Sequence, residues 1–257
     1  MPPAKAPIRR IHLPLAPSQP RPPAPPPDEP ARRPDGSLTL AAARAIAGTL
    51  GHPSKMPGYS YGISATKCIT GSKLRGIPGS VCASCYAMTD WYRSWRPLLE
   101  GHARRFAGLR HPLWIEAMAR MIESACLEGA EADDYGWFRW HDSGDLQGVW
   151  HLRNIVEVVR RTPDVRHWLP TREYEMVAEY LRAGGVIPEN LTIRLSGHML
   201  DAEPVVPAEL AHLPLATVST VSQYASGWQI VEGKGSVECR AVALRENKCG
   251  DCRACWD

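Results

Sequence analysis

Short apolar runs that end in polar residues alternate with amphipathic stretches along most of this chain. Five such runs are predicted to be strands, at residues 59–64, 137–140, 165–169, 191–195 and 215–218. The repeated order of strand, polar tip and helix is typical of βαβ units with a parallel sheet. We therefore expect an α/β fold, a partial (β/α) barrel of five or six parallel strands.

Helical spacing of apolar residues predicts the segments between the strands. We expect helices at about 38–50, 97–109, 112–128, 147–161 and 173–183. Ser37 is the expected N-cap of the first helix and Gly51 its stop. Cys126 falls on the apolar face of the third helix, which predicts a buried core residue and not a metal ligand.

Polar residues follow the predicted strands at the points where each strand ends. In parallel α/β folds, binding and catalytic groups collect at the carboxyl ends of the strands. The expected cofactor contacts there are Ser143, Gly144, Asp145, Arg172 and Ser196. His141 has the chemistry of an acid or base, but the sequence assigns no catalytic residue.

Residues 1–36 differ in composition from the rest of the chain. They hold 13 of the 24 prolines, with six basic and three acidic side chains. This segment cannot bury enough apolar surface to fold, so we expect a disordered, proline-rich basic arm that is either solvated or contacts nucleic acid. The expected division continues with the partial barrel at 37–235 and a four-cysteine metal segment at 236–257, a cysteine-rich C-terminal extension.

The chain has eight cysteines but neither an apolar run long enough to span a membrane nor an apolar secretory leader. Thiols in such a protein usually serve metal or redox chemistry in a reducing compartment. We therefore expect a cytoplasmic protein, without membrane contact, whose cysteines bind metal.

Seven of the cysteines form two sets. The first, here called the cysteine triad, comprises Cys68, Cys82 and Cys85 with the spacing C-x13-C-x2-C; the second comprises Cys239, Cys249, Cys252 and Cys255 with the spacing C-x9-C-x2-C-x2-C. A cubane cluster held by four thiolates is complete, whereas one held by three keeps an open iron. The division therefore predicts one or two [4Fe–4S] clusters, with the reactive one at the triad.

Zinc is the alternative metal for both sets. Four cysteines also make a closed structural zinc site, and His52 or His102 could complete the triad as a fourth ligand. The three open thiolates of the triad favour the iron–sulfur interpretation, because structural zinc sites are normally closed.

Several motifs resemble those of the phage "gene product eighty-eight" family. They are Lys55–Pro57, Cys68, Ser80–Ala87, Phe138–Asp145, Trp168–Glu173 and Cys249–Trp256. The resemblance covers about residues 52–257 and identifies a family that is mostly uncharacterised.

The chain is more loosely similar to radical S-adenosylmethionine enzymes, which have a partial (β/α) barrel and three cluster cysteines after the first strand. Cys82, Cys85 and Tyr86 are similar to the end of their cysteine motif, and Ser143–Asp145 is placed like the motif that meets the cofactor's amino group. The first cysteine spacing is three residues in those enzymes and thirteen here. The resemblance implies that S-adenosylmethionine is the cofactor and that Tyr86 is one of its contacts.

Together these features predict an iron–sulfur enzyme, of the radical S-adenosylmethionine type, with an electron donor as its partner. Its expected substrate is a small molecule, a nucleotide or a nucleic acid. The alternative is a zinc-stabilised phage protein without catalysis that binds nucleic acid or another partner.

Overall fold

The computed structural model describes residues 30–202, 206–210, 216–221, 228–232, 235–238 and 248–256. Its strands are β1 (Tyr59–Tyr61), β2 (Trp137–Trp140), β3 (Arg166–Thr171), β4 (Leu191–Leu200), β5 (Ala216–Val221), β6 (Trp228–Glu232) and β7 (Gly235–Glu238). Its α-helices are α1 (Leu40–Ala47), α2 (Ile69–Leu74), α3 (Asp90–Ser94), α4 (Arg96–Gly108), α5 (Trp114–Glu123), α6 (Val149–Arg161) and α7 (Tyr174–Arg182). No helix in these ranges is long and apolar enough to cross a bilayer.

The strands form one sheet in sequence order. β1 to β5 pair in parallel, and β6 and β7 add to the edge of β5 in antiparallel fashion. The predicted α/β class with a parallel sheet is confirmed. Sequential parallel strands joined through helices have the order of a partial (β/α) barrel.

One face of the sheet carries the hydrophobic core. Phe138 and Trp140 of β2 are fully buried, and Trp140 packs at ring distances of about 6 Å against Trp114 of α5 and His167 of β3. Helices α5, α6 and α7 supply most of the other buried side chains. Because side chains alternate along a strand, Trp137, Arg139, Trp168, Thr192 and Arg194 lie on the opposite face, here called the inner face.

The first helix begins later than predicted. Thr39, not Ser37, accepts the capping hydrogen bond, from the Ala42 N–H at 3.2 Å. Ser37 is held instead by Asp35, whose Oδ1 accepts from both its N–H and its hydroxyl. The helix ends at Gly48, with φ of 80°, and not at Gly51.

The end of α5 continues as a π-helical turn, Ser124–Glu128, which contains Cys126. Cys126 is fully buried, and its thiol lies 3.4 Å from the Trp137 carbonyl oxygen. The prediction that Cys126 is a core residue is confirmed.

Most of the predicted arm, residues 1–29, lies outside the described residues. Next to it, Arg32 forms an ion pair with Glu116 of α5 at 2.6 Å, and the Thr39 N–H donates to the Ala31 carbonyl. At the other predicted boundary, β7 carries the sheet past residue 235. The three-part division of the chain stays a prediction.

Candidate metal centre

Cys68 and Cys82 converge on Gly71. Cys68 precedes α2 directly, and Gly71 lies within the first turn of that helix. A Cβ atom on Gly71 would lie 3.6 Å from Cys68 Sγ and 3.5 Å from Cys82 Sγ. The two sulfurs are therefore no farther apart than the sum of these distances, and the missing side chain of Gly71 leaves the space beside them open.

The thirteen residues between Cys68 and Cys82 are accounted for by α2 and a crossing loop. After α2 the chain reaches the end of β4, where Ser80 forms a β-bridge with Met199. The Val81 N–H donates to the His198 carbonyl at 2.9 Å. The loop thus returns Cys82 to the helix that begins at Cys68, so the long spacing is compatible with convergence of the two sulfurs.

Cys85 completes the triad at the start of a 3₁₀ turn, Tyr86–Met88. Burial raises the pKa of the Cys68 thiol and of the Cys82 thiol, and the charge of Cys85 raises both further. All three thiols therefore lie within electrostatic reach of one another, at the carboxyl ends of the strands.

Two buried carboxylates lie beside the triad. Asp145 accepts hydrogen bonds from the Thr171 hydroxyl at 2.6 Å, the Leu146 N–H at 2.8 Å and the Arg172 N–H at 2.9 Å. It therefore ties the end of β2 to the end of β3. Burial raises its pKa.

Glu173 links the end of β3 to the cysteine helix. Its Oε1 accepts from the Thr70 N–H at 2.8 Å and its Oε2 from the Thr70 hydroxyl at 2.7 Å. Burial and then the charge of Asp145 raise the pKa of Glu173 to about 7. Both carboxylates act electrostatically on the Cys68 thiol. The sequence analysis did not select Glu173, and no local pattern connects it to Thr70.

The predicted cofactor contacts lie at the same end of the sheet as the triad. The Ser143 hydroxyl donates to the Ile63 carbonyl at 2.8 Å and lies 3.1 Å from His102 Nε2. Gly144 has φ of 80°, and a Cβ there would lie 2.4 Å from an Ile63 side-chain atom, so both residues lie against the end of β1. Their role toward a cofactor stays a prediction.

The remaining predicted contacts surround the same region. Arg172 Nε donates to the Gly197 carbonyl at 3.1 Å, and the Tyr174 hydroxyl donates to the Ser196 carbonyl at 2.6 Å. The Tyr86 hydroxyl donates to the Asp142 carbonyl, while its side chain stays half exposed. Ser196 is buried.

His141 points away from the triad. Its φ is 55°, it is almost fully buried, and its ring lies 5.4 Å from that of His151 on α6. Burial lowers its pKa well below the usual value, which favours the neutral ring. The two histidines considered as zinc ligands have other partners: His52 lies 2.7 Å from Asp134 Oδ2, and His102 contacts Ser143.

The second cysteine set lies at the opposite end of the sheet; Cys239 is outside the described residues. The Cys249 N–H donates to the carbonyl of Lys55, which precedes β1, and Arg253 Nη2 donates to the carbonyl of Asp133, which precedes β2. Cys252 is exposed, whereas Cys249 and Cys255 are half buried. The sequence could not show whether the two sets meet, and the structure separates the three described cysteines from the triad.

Residues 249–256 cover the inner face from that end. The Trp256 ring lies 5.7 Å from that of Trp137 and 5.2 Å from that of Trp168, and its Nε1 donates to the Phe138 carbonyl at 2.9 Å. Arg194, fully buried, donates to the carbonyls of Cys255 and Ala254. The segment is therefore anchored to three neighbouring strands.

Within the described ranges, no three His, Cys, Asp or Glu side chains are grouped closely enough to hold one metal ion. A protein-family model described as Gene product 88 matches residues 39–257. No curated protein and no solved structure matches the chain.

Proposed function

The chain belongs to the Gene product 88 family of phage proteins, and from that premise we propose that it is an iron–sulfur enzyme of the radical S-adenosylmethionine type. The observation that supports this most is the convergence of Cys68 and Cys82 on Gly71. In a cubane cluster each thiolate binds a different iron, so the sulfurs surround a volume and do not meet at one ion. The space kept open by Gly71 suits such a group.

The donor set also fits the proposed cluster. Three thiolates are soft ligands of the kind that iron–sulfur clusters use, and three leave one iron open for a further ligand. With S-adenosylmethionine bound there, the site would supply one-electron radical chemistry. Cys68, Cys82 and Cys85 would hold the cluster.

The residues around the triad have separable tasks in this proposal. Glu173 positions the cysteine helix through Thr70, and Asp145 fixes the strand ends that face it. Trp256 and Arg194 help close the inner face from the far end and so limit the entry of water.

Cys239, Cys249, Cys252 and Cys255 would hold a second, closed cluster that relays electrons from a donor or binds substrate. The proposed substrate is a nucleotide or nucleic-acid component in the host cytoplasm.

Metal analysis of the full chain, purified without oxygen, tests the proposal. We expect brown protein with about four irons and four sulfides for each cluster. Cys82→Ala should remove the iron of the triad, and Cys126→Ala, a buried cysteine outside both sets, should retain it. Colourless protein with stoichiometric zinc would contradict the proposal and favour the non-catalytic alternative.

The cofactor is tested separately. Calorimetry should show that the iron-loaded chain binds S-adenosylmethionine and that Cys82→Ala does not, and the reduced enzyme should release 5′-deoxyadenosine. An iron-loaded protein that does neither would be an electron carrier or redox sensor.

A further inference from the structure

Two arginines approach Tyr86 from the ends of neighbouring strands. Arg139 of β2 pairs in register with Trp168 of β3, and Arg172 lies four residues beyond Trp168, on the same face of the chain. The charges of both guanidinium groups act on the Tyr86 hydroxyl. Tyr86 follows Cys85 directly and is 51% exposed, so the two positive groups meet beside the triad at an open aromatic ring.

Arg139 is held in place by uncharged groups. Its guanidinium carbon lies 4.4 Å from the centre of the Trp168 ring, and its Nη1 is 3.5 Å from Met56 Sδ. Its Nε is buried and has no hydrogen-bond partner among the described residues. A half-buried guanidinium with unused donors is stabilised by an anion that can accept from its planar fork.

Arg172 also lies outside every ion pair of the described residues. It donates through Nε to the Gly197 carbonyl at 3.1 Å. Its charge acts on the Cys82 thiol and on the hydroxyls of Tyr86 and Tyr174, which places the guanidinium between the triad and the end of β4. Arg139 is likewise absent from these ion pairs.

The nearby carboxylates are engaged elsewhere. Asp145 is buried and accepts three hydrogen bonds, and Glu173 is buried and occupied by Thr70. Asp142 acts on Tyr86, but it also faces the guanidinium of Arg105. None of the three forms an ion pair with Arg139 or Arg172 within the described part of the chain, so the positive charge there is not neutralised by a direct partner.

We propose that Arg139 and Arg172 bind an oxyanion of the substrate, a phosphate or a carboxylate, in front of Tyr86. The inference rests on the proposed function, because it names the substrate class of the same site. The anion would accept hydrogen bonds from the two guanidinium groups, and the attached part of the substrate would lie along the exposed Tyr86 ring beside the triad. Charge-assisted hydrogen bonds to arginine suit phosphates and carboxylates in particular.

Calorimetric titration of the full chain tests this inference. The probes are adenosine monophosphate and adenosine, which differ only in the phosphate, with malonate as the carboxylate probe. We expect the monophosphate to bind at least about tenfold more tightly than adenosine, and Arg139→Gln or Arg172→Gln to remove most of that difference. A stronger effect of both variants on malonate would identify the oxyanion as a carboxylate.

Three controls make the result decisive. Arg153→Gln removes an exposed arginine of α6 and should bind like the unmodified chain. Arg139→Lys keeps the charge and should lose less affinity than Arg139→Gln, which a folding defect would not reproduce. Thermal melting of each variant checks that the sheet is intact.

Equal binding of the monophosphate and adenosine, with no binding of malonate, would overturn the inference. Variants that behave like Arg153→Gln would do the same. If only S-adenosylmethionine binding depended on the two arginines, they would serve the cofactor, and the substrate assignment would be wrong. These titrations do not require iron, so a zinc-containing chain that still showed the arginine-dependent preference would refute the proposed function and leave the anion site intact.

Discussion

Two fully buried histidines should make the protein sensitive to acid. His151 of α6 packs against Trp150 and Trp114, and His167 of β3 stacks on Trp140. Burial lowers the pKa of each from 6.5 to about 3. In the unfolded chain both rings bind protons below about pH 6.5, whereas the folded protein holds them neutral.

The sign and size follow from these pKa values. The contribution of each histidine to stability is fully present above pH 6.5 and is lost as the pH falls toward 3. At pH 5 the uptake of one proton by the unfolded chain lowers the free energy of unfolding by about 2 kcal/mol for each ring. Two rings together would remove about 4 kcal/mol, a large share of the ~5–15 kcal/mol that stabilises an ordinary protein.

Urea unfolding at pH 7.5 and pH 5.0, at constant metal content, measures the effect. Glu173 acts in the opposite direction: its pKa is raised, so its protonation favours the folded state as the pH falls through 7. The comparison therefore uses His167→Gln, which should reduce the acid-induced loss by about 2 kcal/mol relative to the unmodified chain. His111→Gln controls for removal of an incompletely buried histidine. An identical pH dependence in His167→Gln and the unmodified chain would refute the reasoning.

Two further substitutions test the cluster space and the closing segment. Gly71→Ala should lower the iron content of the triad by more than half, because its Cβ would lie 2.9 Å from the Cβ of Cys68; Gly76→Ala, whose Cβ would meet nothing within 4 Å, should bind normally, and equal iron in both would contradict the proposed position of the cluster. Trp256→Ala should lower the free energy of unfolding by about 3–5 kcal/mol, because the ring is 3% exposed. Urea denaturation should show a smaller loss for Trp95→Ala, since that ring is 47% exposed; similar losses would argue against the anchoring role.

The parallel part of the sheet was predictable from local patterns. Apolar runs near 137–140, 165–169, 191–195 and 215–218 correspond to β2 to β5, because buried parallel strands need continuous apolar residues. The hairpin of β6 and β7 was not predicted. Its short glycine-containing connection is a hairpin signal that could have identified it.

The site was only partly predictable, for a different reason. The spacing of the cysteines is a local property, and it indicated the triad. Glu173 contacts Thr70 across 103 residues, and Arg139 meets Tyr86 only because β2 is adjacent to β1 in the sheet. His141 follows a strand, as expected, but its positive φ directs the ring toward the helices. Such contacts depend on chain topology, which no single segment encodes.

The attachment of residues 249–256 to the inner face has a consequence for assembly. Trp256 bonds to Phe138, 118 residues earlier, and to Thr192, 64 residues earlier. Contacts between such distant residues close long loops and form late in folding. During synthesis, the triad and the strands that support it leave the ribosome before the covering segment exists. Metal loading at the triad and closure of the inner face are therefore separable events, and metal has a route to the cysteines before the far end of the sheet is covered.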